Sequence, residues 1–269
     1  MHKAVILARG LGKRMREEEN GLELDHRQLE IARMGLKGMI PVGRRFMDYL
    51  LSALADAGYT DVCMVVPPDH EIIRRYYEEE ARPTRIRLHY AVQEEPRGTA
   101  DAVAAAEGFA GQDYFLTINS DNYYPVEALA ALRNQSGCAV ALFEQEAMIA
   151  QSNIPPERIR QFAVGLCNGD ENLQRIIEKP QPELLETLPR PLWVSMNCWR
   201  FAPSIFEACR HIKPSPRGEF EITDAVQYAI DYLGEKFRVV RIRAGVLDLT
   251  RRSDIASVAR MLAGISVRL

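Results

Sequence analysis

The stretch Val5-Ile6-Leu7-Ala8-Arg9-Gly10-Leu11-Gly12-Lys13-Arg14-Met15 decides the fold that we expect for this chain. A short apolar run leads into two glycines separated by one residue, and a basic pair follows. A buried strand that ends in a Gly-rich turn brings backbone N–H groups close to phosphates. The spacing departs from the dinucleotide-binding pattern because Met15 stands at the third glycine position, and no Walker loop follows. Taken alone, the segment also fits an ordinary strand-to-helix turn with basic surface residues.

Composition and charge exclude several classes of protein. The chain has 269 residues and a net charge of −3, which argues against a general nucleic-acid binder. No apolar run approaches the roughly 20 residues that span a bilayer, and no signal peptide is expected before the first strand. The five cysteines form no C-x-x-C pair, so we expect no zinc site. We predict a cytoplasmic protein with reduced thiols and with no nucleic-acid or membrane partner. The possibility of a homo-oligomer stays open.

Short apolar runs alternate with amphipathic segments, which predicts βαβ units in an α/β fold. The expected fold is Rossmann-like, with a mixed, mostly parallel sheet flanked by helices. We predict strands at 3–8, 62–66, 85–92, 114–119, 139–143, 162–167, 173–177, 193–201 and 237–243. We predict helices at 44–57, 70–80, 99–107, 204–211, 222–232 and 252–263. Thr99 is the expected N-cap of its helix, prolines mark a loop at 180–191, and residues 16–36 form a helix or a mobile flap.

The chain is predicted to form a single domain over residues 1–269. About 1–125 would form a nucleotide-binding half. About 126–269 would add strands, cover a pocket, bind the sugar and end in a C-terminal helix.

Five separate motifs then follow one another along the chain. They are the opening turn, Lys37-Gly38-Met39-Ile40-Pro41-Val42, Gln93-Glu94-Glu95-Pro96-Arg97-Gly98-Thr99-Ala100-Asp101-Ala102-Val103, Asn119-Ser120-Asp121-Asn122 and Ile177-Glu178-Lys179-Pro180. With them, the chain resembles the sugar-1-phosphate nucleotidyltransferases, the pyrophosphorylases that make nucleotide sugars. The resemblance covers residues 3 to 260, with a weaker similarity at Arg217-Gly218-Glu219. It implies a GT-A-like nucleotidyltransferase fold.

The resemblance also implies a reaction. A nucleoside triphosphate and a hexose 1-phosphate would give a nucleotide sugar and pyrophosphate, with Mg²⁺ as the cofactor. Such a transfer needs alignment of the reactants and neutralisation of charge more than covalent help from the protein. Gln93 favours UTP or dTTP because a glutamine amide can pair with the edge of uracil or thymine. A guanylyl-, adenylyl- or cytidylyltransferase of the same family, or a non-catalytic nucleotide- or nucleotide-sugar-binding regulatory homologue, remains an alternative.

The family pattern assigns roles to individual positions of this sequence. Arg14 and Lys37 are the catalytic cations that would hold phosphate charge. The nucleotide-binding positions are Ala8, Gly10, Gly12, Gln93, Gly98 and Thr99. The sugar-phosphate-binding positions are Asn122, Glu178, Lys179 and Asn197. Asp121 and Asp248 match the metal ligands, and a carboxylate beside a triphosphate is repulsive unless a cation such as Mg²⁺ lies between them.

The sequence departs from the family pattern at several positions. Arg9 and Lys13 stand where alanine and threonine are usual, and both add positive charge to the opening turn. Ser120 and Trp199 stand where glycines are expected, and Asp248-Leu249-Thr250 replaces Asp-x-Gly-Thr. Residues 16–36 make the first gap longer than in the family pattern. We therefore expect an insertion there, which would serve either as a lid over the triphosphate or as an oligomer contact.

Overall fold

A mixed sheet of nine strands forms the centre of the fold in a computed structural model that describes residues 1–19 and 21–269. The strands are β1 (Lys3–Leu7), β2 (Pro41–Val42), β3 (Arg44–Arg45), β4 (Asp61–Val66), β5 (Arg87–Val92), β6 (Phe115–Asn119), β7 (Asn122–Tyr123), β8 (Ala139–Glu144), β9 (Val164–Cys167), β10 (Leu173–Ile177), β11 (Trp193–Phe201), β12 (Arg238–Ile242) and β13 (Leu247–Asp248). The short pairs β2–β3 and β7–β13 lie outside the main sheet.

Helices connect and cover these strands. They are α1 (Lys13–Arg16), α2 (His26–Met34), α3 (Phe46–Asp56), α4 (Glu71–Arg75), α5 (Thr99–Ala105), α6 (Glu107–Ala110), α7 (Val126–Arg133), α8 (Gln145–Gln151), α9 (Pro156–Ile159), α10 (Pro182–Thr187), α11 (Ser204–His211), α12 (Ile222–Tyr232) and α13 (Asp254–Leu262). A 3₁₀ turn covers Lys37–Met39, and a π-helical turn over Tyr76–Ala81 continues α4. No described helix is both long and apolar enough to cross a membrane.

The first half of the chain supplies the parallel part of the sheet, in the order β5-β4-β1-β6. Val5 on β1 lies between Cys63 on β4 and Thr117 on β6. The second half enters through β11, which pairs antiparallel with β6, β8 and β9, while β12 pairs parallel with β8. The predicted fold class, a mixed Rossmann-like sheet flanked by helices, is confirmed.

Both faces of the sheet are buried against helices. On β1, Ala4 and Ile6 point into one apolar cluster and Val5 into the other, as the alternation of side chains along a strand requires. Helices α3, α7 and α13 contribute to the first cluster, and α5, α11 and α12 contribute to the second. Strands covered on both faces give near-continuous apolar runs, which explains why β1 and β4 are easily recognised in the sequence.

The predicted strands and helices that the structure contains lie close to their predicted limits, but three details differ. The N-cap residue of α5 is Gly98, and the Thr99 hydroxyl instead accepts a hydrogen bond from the Ile222 N–H at 2.9 Å, so the predicted cap was wrong. The proline-rich loop contains helix α10, because Pro182 occupies a first-turn position, where a proline costs no hydrogen bond. Helices α1, α6, α7, α8 and α9 were not predicted.

The inserted segment forms a helix next to the opening turn. Helix α2 begins at a capping box, in which Asp25 and Gln28 exchange side-chain-to-backbone hydrogen bonds, and it ends at Gly35 in the left-handed region. Arg16 donates to the carbonyl of Met34 at 2.8 Å. The helical alternative for residues 16–36 is therefore confirmed for His26–Met34.

Parallel strands place their carboxyl ends at one edge of the sheet. Residues 8–14 follow β1, Gln93 follows β5, and Ser120 and Asp121 follow β6. In α/β sheets, ligands bind in the crevice outside these carboxyl ends. This edge is where the sequence motifs meet.

Candidate active site

A cavity of about 490 Å³ opens at the carboxyl edge of the parallel strands. Most of the residues that the sequence singled out line this one cavity. They are Ala8, Gly10, Gly12, Arg14, Lys37, Gln93, Gly98, Thr99, Asp121 and Asn197. Segments that lie far apart in the chain therefore converge on one cavity. Unrelated surface turns would not be expected to meet in this way.

The two glycines of the opening turn have different structural roles. Gly12 has φ +59°, and a Cβ there would lie 2.4 Å from the carbonyl oxygen of Gly35. A side chain at Gly10 would meet nothing within 4 Å. Gly12 thus allows the turn to pack against the end of α2, whereas Gly10 leaves the turn bare on the side where a ligand could approach.

Positive charge dominates the lining of the cavity. Its cationic side chains are Arg9, Lys13, Arg14, Lys37 and Arg217, and its acidic side chains are Asp121 and Glu219. Arg9 also has a structural role, because its Nε donates to the backbone carbonyl of Gln93 at 3.1 Å and joins the opening turn to the segment after β5. A cleft with an excess of one sign of charge raises the local concentration of ligands of the opposite sign.

Lys37 and Asp121 form an ion pair inside the cavity. The Nζ of Lys37 lies 2.8 Å from Oδ2 of Asp121, and about four-fifths of each side chain is buried. Lys37 lies on the 3₁₀ turn Lys37–Met39. A Cβ at Gly38 would lie 2.6 Å from Cε of Met47 on α3, the flexible end of that side chain.

Asp248 lies close enough to Asp121 for their charges to interact, but it is outside the lining of the cavity. Strand β13 pairs with β7, so Asp248 faces Asn122, whose amide donates to its Oδ2 at 3.2 Å. Arg158 pairs with Oδ1 at 2.8 Å. Burial raises the pKa of the Asp248 carboxyl, the negative charge of Asp121 raises it further, and the Arg158 guanidinium opposes both effects.

The two carboxylates differ in how well they suit a metal ion. Among the described residues, only Lys37 donates to the Asp121 carboxylate, so its Oδ1 atom is available. Both oxygens of Asp248 already accept hydrogen bonds. No group of three or more His, Cys, Asp or Glu side chains in residues 1–19 and 21–269 is arranged to hold a metal ion. Hard oxygen donors that are few in number fit Mg²⁺, which binds through one or two carboxylates together with phosphate oxygens.

Gln93 occupies the wall of the cavity that is formed by the segments around β5 and α5. The side chain is 4% exposed, and its Nε2 donates to the carbonyl of Gly98 at 3.1 Å and to Oδ2 of Asp101 at 2.7 Å. Gly98 has φ +125°, and a Cβ there would lie 2.4 Å from the carbonyl oxygen of Phe220. This wall is therefore closely packed, and only glycine fits at position 98.

The predicted sugar-binding residues are divided among three environments. Asn197 lines the cavity and adopts φ +53°. Asn122 is buried beside Asp248, and Glu178 and Lys179 are exposed after β10. None of these last three lines the cavity as the structure describes it.

Sequence reasoning missed several side chains that shape the site. Asp101 lies within a quoted motif but was given no role, although it holds Gln93. Arg158 and Asn153 hold Asp248 from a segment without any recognised motif. Only the pattern Arg217-Gly218-Glu219 gave a signal, as a weaker similarity, and both of its charged residues line the cavity.

A glycine turn, a cluster of cations and a carboxylate at the carboxyl edge of a parallel sheet define a phosphate-binding α/β protein. The model of the family Nucleotidyl transferase matches residues 3–254, and the chain belongs to this family.

Relatives of known name cover nearly the whole chain. A UTP–glucose-1-phosphate uridylyltransferase of Haloferax volcanii is 27% identical over 253 residues, which cover 94% of this chain and 93% of that protein. A glucose-1-phosphate thymidylyltransferase of Streptomyces griseus is 28% identical over 261 residues, which cover 97% of this chain and 66% of that protein. A solved UDP-glucose pyrophosphorylase in complex with UDP-glucose has a TM-score of 0.73, 18% identity and 97% coverage of both chains, a likeness of fold.

Proposed function

We propose that this protein transfers a nucleotidyl group from UTP or dTTP to a hexose 1-phosphate and releases pyrophosphate. The observation that carries the proposal is the convergence of the glycine turn, Lys37, Asp121 and Gln93 on one cationic cavity. The names of the uridylyltransferase and thymidylyltransferase relatives support the same reaction and the same pair of nucleotides. Five free cysteines support a cytoplasmic location.

The chemistry is a substitution at the α-phosphorus of the triphosphate. A phosphate oxygen of the sugar 1-phosphate forms the new P–O bond, and the bond to the β-phosphate breaks, so that pyrophosphate leaves with the electron pair. The protein contributes alignment and charge stabilisation. The planar guanidinium of Arg14 can hold phosphate oxygens in a bidentate manner, and Lys37 adds a point charge to the same cavity.

Mg²⁺ would be held by Asp121, supported by Asp248. When bound, it would neutralise charge on the phosphate oxygens that it contacts. Asp121 fits this role because its Oδ1 atom is available and because it lies at the end of β6 inside the cavity. Arg158 and Asn122 hold the Asp248 carboxylate in a fixed orientation.

Glu178 and Lys179 would bind the sugar and its phosphate. Both side chains are exposed, and neither forms an ion pair within the described residues. Strand register supports their position at the edge that carries the cavity: Ile177 pairs with Val164, which pairs with Val194 near the start of β11. Because β11 runs antiparallel to β6, its start lies at the carboxyl end of β6. Asn197 would contribute an amide from inside the cavity.

The test is a pyrophosphate-release assay with each nucleoside triphosphate, Mg²⁺ and pooled hexose and aminohexose 1-phosphates. We expect release with UTP or dTTP and a loss of roughly a hundredfold or more in Asp121→Asn. Asp231→Asn is the matched control because Asp231 is exposed on α12, outside the cavity. No release with any nucleotide would contradict the proposal, and thermal stabilisation by a nucleotide in that case would support a non-catalytic binding protein.

A further inference from the structure

We propose that a second cavity, which lies between the start of α8 and helix α10, is a binding site for a neutral carbohydrate ring. This second cavity has a volume of about 770 Å³, within the range of about 300–1,000 Å³ that is usual for small-molecule sites. It shares no lining residue with the cavity at the carboxyl edge of the parallel strands. Such a site goes beyond the proposed function and does not depend on the proposed reaction.

The sheet holds Gln145 at the wall of the second cavity. Gln145 is the first residue of α8 and directly follows β8, and its backbone N–H donates to the carbonyl of Leu192 at 2.9 Å. This hydrogen bond continues the pairing of β8 with β11, in which Trp193 lies opposite Glu144. The backbone of Gln145 is therefore fixed, and its side chain, which is 4% exposed, has little freedom to leave the cavity wall.

The side-chain amide of Gln145 is buried without a hydrogen-bond partner in the part of the chain that the structure describes. Its Nε2 atom is sealed from solvent, and no described group accepts from it. Its Oε1 atom also lacks a donor among these residues, but it is not sealed. Buried polar atoms nearly always have a partner, because an unmade hydrogen bond leaves the cost of desolvation uncompensated. Gln145 thus offers an unused amide, which can both donate and accept, to a ligand in the second cavity.

Aliphatic side chains form the apolar part of the lining. Leu185 and Leu192 are buried there, and Pro182 and Pro191 lie beside them. Among the described residues, no aromatic side chain lines the second cavity, so an aromatic ring such as a nucleobase would gain no stacking contact. The C–H groups on the faces of a pyranose ring, in contrast, pack well against aliphatic surface.

The charged side chains of the lining are balanced in sign. Arg160 and Arg190 are positive, Glu146 and Glu186 are negative, and all four are exposed. Within residues 1–19 and 21–269, none of these four side chains forms an ion pair. A ligand with a net charge of either sign would meet as many like charges as opposite ones. Hydroxyl groups can donate to the glutamates and accept from the arginines, so a neutral, polyhydroxylated ring fits this lining.

The first experiment compares three sugars that differ in charge. Binding of D-glucose, D-glucuronate and D-glucosamine to the full chain is measured by ligand-detected NMR titration in the absence of nucleotide. We expect saturable binding of glucose, with an affinity about threefold or more above that of either charged sugar, because each charged sugar meets two like charges. Tighter binding of a charged sugar would overturn the proposal. Absence of binding by all three sugars would also overturn it, because water alone would then satisfy the Gln145 amide.

Substitutions in α8 locate the bound sugar. We expect Gln145→Met to lower the affinity for glucose by about tenfold, because the hydrogen bonds to the amide are lost. Gln151→Met is the matched control, since Gln151 lies on the same helix, is exposed and lies outside both cavities. An unchanged glucose affinity in folded Gln145→Met would mean that the sugar binds elsewhere and that the proposal is wrong.

Two further variants keep the test decisive if Gln145→Met does not fold. Arg190→Gln changes an exposed side chain of the second cavity and should weaken glucose binding by about threefold. Glu178→Gln should leave glucose binding unchanged, because Glu178 lies outside the second cavity. Loss of binding in Glu178→Gln with full binding in Arg190→Gln would instead place glucose at the proposed sugar-phosphate site, contrary to the proposal.

Failure of the second site and failure of the proposed reaction have different signatures. The glucose titrations need neither nucleotide nor turnover. Glucose binding that depends on Gln145, in a protein that releases no pyrophosphate with any nucleotide, would refute the reaction and support the second site. Pyrophosphate release by a protein whose glucose binding is the same in wild type and Gln145→Met would support the reaction and refute the second site.

Discussion

Gly10 and Gly12 look equivalent in the sequence, but the structure places different demands on them. Gly12 has a positive φ, and the backbone of Gly35 occupies the space where a Cβ would lie. Gly10 has neither constraint, since the nearest non-neighbouring atoms lie beyond 4 Å of its Cβ position. Stability therefore depends on Gly12, whereas Gly10 keeps the turn open toward the cavity.

We expect Gly12→Ala to lower the free energy of unfolding by about 2–5 kcal/mol, because it combines left-handed backbone strain with overpacking against Gly35. Gly10→Ala is the control, and its urea midpoint should stay close to that of the wild type. Urea unfolding followed by circular dichroism measures both variants. Equal midpoints for the two variants would show that the Gly12–Gly35 contact is unimportant for stability.

The convergence of certain residues on one cavity was predictable where a single position carries one chemical group into it. Lys37, Asp121 and Gln93 were named from the sequence, and the structure brings them together. The partners of those residues were not predictable, because Asp101 and Arg158 act through distances that only the folded chain defines. An Asp in the first turn of a helix and an Arg in a short helix have ordinary local explanations, so neither stands out in a sequence.

At the scale of elements, the short pair β7–β13 joins the segment that carries Asp121 to the segment that carries Asp248. The backbone N–H of Leu249 donates to the carbonyl of Asp121 at 2.8 Å. Asn153, after α8, both donates to and accepts from the backbone of Asp248 at 2.8 Å. Arg158 on α9 then pairs with the Asp248 carboxylate and with the Thr250 hydroxyl. Two short helices thus hold a two-residue strand.

We expect Arg158→Met to destabilise the protein by about 3 kcal/mol, because it leaves the Asp248 carboxylate, which is 5% exposed, without its cation. The control is Arg74→Met, which breaks the exposed Arg74–Glu78 pair within one helical segment. Exposed pairs of this kind contribute little, so its midpoint should not change. The comparison is made by urea unfolding. A similar effect of both substitutions would contradict the importance of burial at Asp248.

Elements were predictable where burial gave a long, distinct pattern. The nine residues of β11 and the fully buried β4 stood out as apolar runs. Helix α7 was missed because eight residues give about two turns, too few for a helical period to differ clearly from a strand. Helix α10 was missed because its prolines were taken as breakers, although Pro182 lies in the first turn.

At the scale of the whole molecule, the two halves of the chain share one sheet and are joined by hydrogen bonds between distant segments. Strand β11 joins the parallel strands through β6. Arg252, which is 4% exposed, donates to the carbonyls of Met15 and Arg16 at 3.0 and 3.1 Å. Tyr124 donates to the carbonyl of Met196 at 2.7 Å. Contacts between residues that lie far apart in the sequence favour unfolding of both halves of the chain as one unit.

We therefore predict a single cooperative unfolding transition for the two halves. Cys63 on β4 reports on the first half, and Cys198 on β11 reports on the second. Both thiols are buried, and burial raises the pKa of Cys63 to about 12 and also raises the pKa of Cys198. Neither thiol should react until its surroundings unfold, because the thiolate is the reactive form. Pulsed alkylation in increasing urea, analysed by peptide mass spectrometry, should give the same midpoint for both. Cys63 that stays protected at urea concentrations where Cys198 is fully labelled, or the reverse, would instead divide the chain into two folding units.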